Sequence, residues 1–445
     1  MTMTTRNPAG HRAVSAVLFL CLFAAQAGAI ALSPVLAQVA RDLDVSTAAA
    51  GQVRTIGGLV AGVTALALGR VGVRLALGRQ LLAGSILLAL GSLASAAAPG
   101  IGFLAAAQVP LGAGIGFLTT AATLAAAEWV PLGRRSTTLS WALIGQPAAW
   151  IVGMPLVGAV GDWSWRFGWL LFPLAAALLA GAAVAPRVNR RLPSNAPTGL
   201  RATLGTPGLA RWMAAELLAN SAWAATLVYS GALFAESYGL SARVTGFVLA
   251  VGAGGYVAGN RALRRLADRE PGPLLVGLAV TLAMATALFG VLRVSPVVST
   301  AIFSAAAFAA GGRTFLSSAF GLAAHPGLRA GAMAMRAASM QLGYFSGSFA
   351  AGAALALGGY AAFGATVALL FLAAALLLCR LPAQIDDRGT RRLGRAGAGS
   401  RSPIVVASSA VAWSFGCLVR LKSSTARRRS RSPRASSGPS WRFSS

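Results

Sequence analysis

Between Ala13 and Leu378 the sequence is a succession of apolar stretches separated by short gaps. They occupy residues 13–37, 47–68, 80–97, 101–126, 137–160, 166–185, 208–234, 243–261, 273–292, 296–320, 330–357 and 360–379. A helix needs about 20 apolar residues to cross about 30 Å of hydrocarbon, and nearly every stretch reaches that length. Only 11% of the residues are charged, against roughly a quarter in a soluble protein. The expected fold class is all-α integral membrane, with twelve transmembrane helices. The 53 glycines fit this environment, because small residues let helix backbones approach closely where water supplies no drive for association.

The arginines point to an orientation. Taking the gaps alternately, the N-terminus and the even gaps hold Arg6, Arg12, Arg70, Arg74, Arg79, Arg134, Arg135, Arg187, Arg190, Arg191, Arg201, Arg211, Arg261, Arg264, Arg265, Arg269 and Arg329. The odd gaps hold Arg41, Arg166, Arg243 and Arg293. Seventeen against four is the asymmetry of a chain whose basic loops stay in the cytoplasm during insertion. An even number of spans with both termini cytoplasmic follows. The net charge of +28 is then mostly topology plus a basic tail, and no nucleic-acid partner is expected. The first apolar stretch is longer than the 7–15-residue core of a secretion signal, so it reads as an uncleaved first helix.

The longest polar interruption, PRVNRRLPSNAPTGLRATLGT from Pro186 to Thr206, divides the spans into six and six. The expected organisation is a first half over 1–185, a linker over 186–207, a second half over 208–380 and a basic tail over 381–445. The halves echo one another. GRVGVRLALGR at Gly69–Arg79 has a counterpart, GNRALRRLADR at Gly259–Arg269, and Gly145-Gln146 with Gly153 has one in Gln341 with Gly347. Such internal duplication is common in transporters. The tail, rich in Arg, Ser, Pro and Gly, has the composition of a disordered segment. It can meet anionic lipid or have no function.

Several motifs resemble those of the major facilitator superfamily, in particular its proton-driven efflux permeases of the drug and sugar type, over about residues 13–380. Gly78-Arg79-Gln80 is similar to the end of that family's loop pattern between helices two and three, with Leu75 and Ala76 where Asp and Arg would stand. Asp268 and Arg269 stand in the second half. Leu104, Gly112 and Gly114 match the fourth-helix pattern, with Gln108 replacing its Arg. Gly153-Met154-Pro155-Leu156-Val157-Gly158 resembles the Gly-Pro element of helix five, and Trp163-Ser164-Trp165-Arg166 resembles the opening of helix six. The resemblance implies two pseudo-symmetric six-helix halves working by alternating access. It implies a small-molecule substrate, protons as the coupling ion, a monomer, and a bacterial inner membrane. Gly78, Arg79, Asp268 and Arg269 become candidates for the gating loops. Uptake by proton symport, or a receptor with a transporter fold, are the alternatives to efflux.

Ionisable residues inside spans are costly and generally face a cavity. Glu216 stands alone as an acid within the hydrophobic region, and Asn220 and Trp223 follow it on the same helical face. It is a candidate proton carrier or partner of a cationic group. The bland alternative places it near the cytoplasmic end, paired with Arg211 or another loop arginine. Arg54, Arg313 and Arg336 are the intramembrane cations. Arg54 and Arg336 lie near helix starts, where they can snorkel; Arg313 can bind an anion or neutralise Glu216. Gln26, Gln146 with Trp150, and Gln341 with Tyr344 put amides beside rings, a combination suited to a sugar or an amphiphile but equally to interhelical hydrogen bonds. Gln108, being neutral, cannot act on a carboxyl as Arg would. No nucleotide-binding loop is present, and the two histidines and three cysteines form no ligand cluster. No enzyme activity, cofactor or metal is expected.

This orientation predicts that reporter domains fused after positions near 200 and 380 are active only as cytoplasmic reporters. Activity on the outer face at either position contradicts it.

Overall fold

The computed structural model describes residues 8–71, 75–130, 135–189, 205–266, 271–322 and 326–380. Residues 190–204 of the linker, Asp268, Arg269 and the whole of 381–445 lie outside the described residues. All regular structure among the described residues is helical. Helix α1 is Pro8–Ile30, continued by a 3-10 turn at Ser33–Val35 and by Leu36–Asp42. Then come α2 (Thr47–Val71), α3 (Leu77–Ala96) and α4 (Ile101–Glu128). Helix α5 is Arg135–Leu143 followed by Gly145–Gly161, and α6 runs from Trp165–Trp169 through a π turn at Leu170–Leu174 into Ala175–Val184. Pro173 sits in that π turn, where its missing N–H leaves no ordinary helical bond to break.

The second half opens with α7 (Pro207–Tyr238), α8 (Ala242–Ala262), α9 (Pro271–Val291) and α10 (Pro296–Leu322). Three of these four start on proline, whose fixed φ suits the first helical turn. The last helical stretch, Pro326–Cys379, is broken at Gly358 and Gly359. Gly359 has φ 63°, a left-handed conformation that glycine adopts without a Cβ clash. The break divides the stretch into α11 (326–357) and α12 (360–379).

Among the described residues, ten segments are long and apolar enough to cross a membrane. One of them, Met335–Cys379, contains both α11 and α12. Helix α10 has 27 residues, and the charge of Arg313 in its interior lowers its hydropathy. Splitting the one and adding the other brings ten to twelve helices. The first span also runs farther than its sequence suggested, to Asp42, because the chain turns at Pro34 and resumes helix.

The two halves pack alike. Helix α4 lies against α2 and α3, and α1 against α5. In the second half α10 lies against α8 and α9, and α7 against α11. Between halves the main seams are α2 with α11 and α5 with α8. Backbones nearly touch at the second seam: a methyl group on Gly158 would overlap the Ala242 carbonyl oxygen, and one on Gly246 would overlap that of Met154.

At one end of the bundle, charges close the seams. Arg166 pairs with Asp42 at 2.6 Å and donates to the Ala98 carbonyl at 3.0 Å. Asp162, just after α5, lies 3.6 Å from Arg243 of α8. Thr47 of α2 donates to Glu236 of α7, which also accepts from the Tyr360 hydroxyl at 2.8 Å. Arg166 and Arg243 thus stand beside the acids Asp42 and Asp162. Exposed pairs contribute at most about 1 kcal/mol each, so the glycine contacts hold more of the seam than the charges do.

Gly158→Ala and Gly246→Ala are therefore expected to destabilise the protein by about 1–3 kcal/mol, the usual result of overpacking. Gly102→Ala, where an added Cβ meets nothing within 4 Å, should not. Thermal unfolding in detergent measures all three; seam variants as stable as the parent would contradict the close approach of α5 and α8.

Candidate functional site

Glu216 lies on the buried face of α7, 2% exposed. Its Oε1 accepts a hydrogen bond from Nη1 of Arg313 on α10. Its Oε2 lies 3.1 Å from Nε of Arg336 on α11. That second contact is an ion pair without hydrogen-bond alignment, since neither atom makes a hydrogen bond. Arg313 and Arg336 are 3% and 8% exposed. Desolvating a carboxylate costs several kcal/mol, which only close counter-charges offset. The network extends one turn further along α7. Asn220 donates to Ser339 Oγ at 3.1 Å, Ser339 donates to the Arg336 carbonyl at 2.8 Å, and Arg336 Nη2 donates to the Thr314 carbonyl at 3.1 Å. Three helices, α7, α10 and α11, are fastened at one point.

Two expectations are corrected here. Glu216 does not pair with Arg211, which instead donates to the Arg380 carbonyl at 3.2 Å. Neither Arg54 nor Arg336 snorkels. Arg54, on α2, is 1% exposed, and its guanidinium carbon sits 5.0 Å from the centre of the Tyr344 ring on α11. Distance from a helix start did not reveal which way these side chains face.

A narrow cleft of about 50 Å³ lies between the halves, room for a few water molecules and smaller than an open small-ligand site. Gln26 on α1, Gln146 and Trp150 on α5, and Asn220 and Trp223 on α7 line it together with Tyr256, Thr314, Arg336, Met340 and Tyr344. Gln26 donates to the Tyr344 hydroxyl at 3.4 Å. Beyond the amides stands an aromatic plug. Trp150 meets Tyr256 edge-on at 4.9 Å, and Trp223 stacks on Tyr256 at 6.1 Å and on Phe303 at 6.4 Å. Polar groups at one wall and ring faces at the other suit a solute with both characters. Among the described residues, no group of three or more His, Cys, Asp or Glu could hold a metal ion.

Residues 18–325 match the model of the Major Facilitator Superfamily. The chain belongs to that superfamily. Among solved structures, it is similar to a D-xylose-proton symporter, with a TM-score of 0.66 and 15% identity over 85% of this chain and 99% of the other. A bacterial homologue of the human lysosomal transporter Spinster, inward-facing and unoccupied, matches with a TM-score of 0.62 and 13% identity over 89% and 100%. The inward-open xylose transporter of E. coli matches with 0.64 and 14% over 83% and 96%. At these identities the likeness is one of fold. No curated protein sequence matches the chain.

The remaining candidate positions take their places in this major facilitator fold. Gln108 is buried in α4 and donates to Ser95 Oγ at 3.3 Å. It neighbours Arg54: a Cβ on Gly57 would lie 2.9 Å from Arg54 Nη1 and 3.3 Å from Gln108 Oε1. Gln341 is buried on α11 but does not line the cleft. Arg79 reaches Asn189 at 3.2 Å, and the chain after α6 crosses so close to Gly78 that an added Cβ would overlap the Arg187 carbonyl. Sequence reasoning missed Tyr256, Thr314 and Met340. Thr314 follows Arg313 directly, but nothing in the local pattern separates Tyr256 from other aromatic residues of the spans.

Proposed function

We propose that this chain is a secondary active transporter of a bacterial plasma membrane, with both termini cytoplasmic, that exports a small amphiphilic or sugar-like solute in exchange for protons. The observation that carries the reading is Glu216, a carboxylate held by Arg313 and Arg336 beside a cleft between the two halves. Arg336 belongs to both the ion-pair network and the cleft wall. Protonating Glu216 removes the negative charge that fastens α7 to α10 and α11. The freed Arg336 then changes the cleft wall, so the charge state of Glu216 and the occupancy of the cleft act on one another. Such mutual influence is what coupling between two ligands requires.

Alternating access needs one side shut while the other opens. The Gly158–Gly246 seam, the Asp162–Arg243 pair and the aromatic plug supply a shut side beyond the cleft. The six-helix halves, 1–185 and 208–380, are the rocking bodies, joined by the linker over 186–207.

Proteoliposomes loaded with a pH-sensitive dye test the proposal. A panel of sugars, aromatic amides and aromatic carboxylates is added under an imposed pH gradient. At least one member should produce proton movement with the wild-type protein, and Glu216→Gln should abolish it. Proton movement that persists unchanged in Glu216→Gln removes this residue from coupling, and a panel that evokes none with the wild type overturns proton-coupled transport.

A further inference from the structure

The buried charged side chains among the described residues are Arg54, Arg313, Arg336 and Glu216. Three cations face one anion, leaving two positive charges uncompensated in the interior. Glu216 serves Arg313 and Arg336. Arg54 has no counterpart. None of its three guanidinium nitrogens has a hydrogen-bond partner among the described residues, and the neighbouring Gln108 Oε1 is likewise unpartnered. The Tyr344 face lies over the guanidinium, and a cation–π contact compensates only part of the desolvation of a buried ion. A water molecule can complete a hydrogen bond there, but it brings no charge. Unpaired cations at membrane depth typically mark the path of a ligand or ion.

The position of Arg54 gives this surplus a direction. Tyr344 and Gln26 are part of the cleft wall, and Arg54 lies directly behind the Tyr344 ring. The ring is tethered to Gln26 by a long hydrogen bond of 3.4 Å, a weak restraint on its rotation. We infer that the transported solute is an organic anion whose carboxylate is bound by Arg54 once Tyr344 swings aside, with its apolar body against Trp150, Trp223 and Tyr256. A guanidinium matches a carboxylate through two parallel N–H···O bonds, and the two amides nearby, Gln26 and Gln108, donate to the remaining lone pairs. Arg54 belongs to the first half and Arg336 to the second, so an anion in the cleft attracts both halves toward itself. This inference rests on the transport reading above and narrows its substrate class.

Thermal unfolding of the purified full-length protein tests it at constant ionic strength. The probes are benzoate, 2-naphthoate and indole-3-acetate, each paired with its uncharged amide. At millimolar concentration at least one acid should raise the Tm by several degrees more than its amide, as expected when ligand binds only the folded state. Arg54→Gln should erase that difference and Arg54→Lys should keep part of it. Without ligand, Arg54→Gln should be at least as stable as the wild type, because an uncompensated cation has been removed. A carboxylate advantage that survives Arg54→Gln, acids and amides that act alike on the wild type, or a marked loss of stability or folding in ligand-free Arg54→Gln would each overturn the inference. The readout is binding, so absence of flux in proteoliposomes bears on the transport reading alone.

Discussion

A charge inside lipid must be matched or used, and the centre of this protein is arranged around that constraint. Glu216 gathers Arg313 and Arg336 from two other helices because a carboxylate at 2% exposure has no water to turn to. Asn220, Ser339 and Thr314 extend the network with hydrogen bonds that fix how α7, α10 and α11 approach. The same constraint is weaker at the end of the bundle where Arg166 and Arg243 stand beside Asp42 and Asp162. There, water screens the charges and the pairs act as light fastenings, easily exchanged in a moving protein.

The apolar framework has the complementary property. Helices in lipid gain nothing from hiding apolar surface, so they associate through close backbone contact at small residues. Gly158 facing Gly246, and Gly58 facing the Tyr344–Phe345 backbone, bring the halves together along α5–α8 and α2–α11. These seams run past the cleft on either side. The glycine contacts hold the halves together, while the polar centre ties α7, α10 and α11 within the second.

Much of this architecture was readable in the chain. Length and hydropathy identified the helices, including the boundary that Gly358-Gly359 sets between the last two. The site was readable only in part. Glu216 stood out because an acid amid apolar residues is costly anywhere in a span, but its partners, 97 and 120 positions away in sequence, could not be chosen over nearby Arg211. Arg336 was misread because position along a helix does not tell which face a residue occupies. Arg54 is beside Gln108 through the contact of α2 with α4 at Gly57 and Gly112, a proximity that neither segment displays by itself. Tertiary packing, and not local pattern, makes these positions a site.

The most direct measurement of the central claim is a double-mutant cycle between Glu216 and Arg313, read by unfolding of the purified protein. Glu216→Gln alone leaves the arginines unmatched and should cost about 3–5 kcal/mol. Adding Arg313→Gln should restore part of that loss, giving a coupling of about 1–3 kcal/mol between contacting residues. Losses that simply add would show that the two side chains are not paired inside the bundle, and the account of its polar centre would not stand.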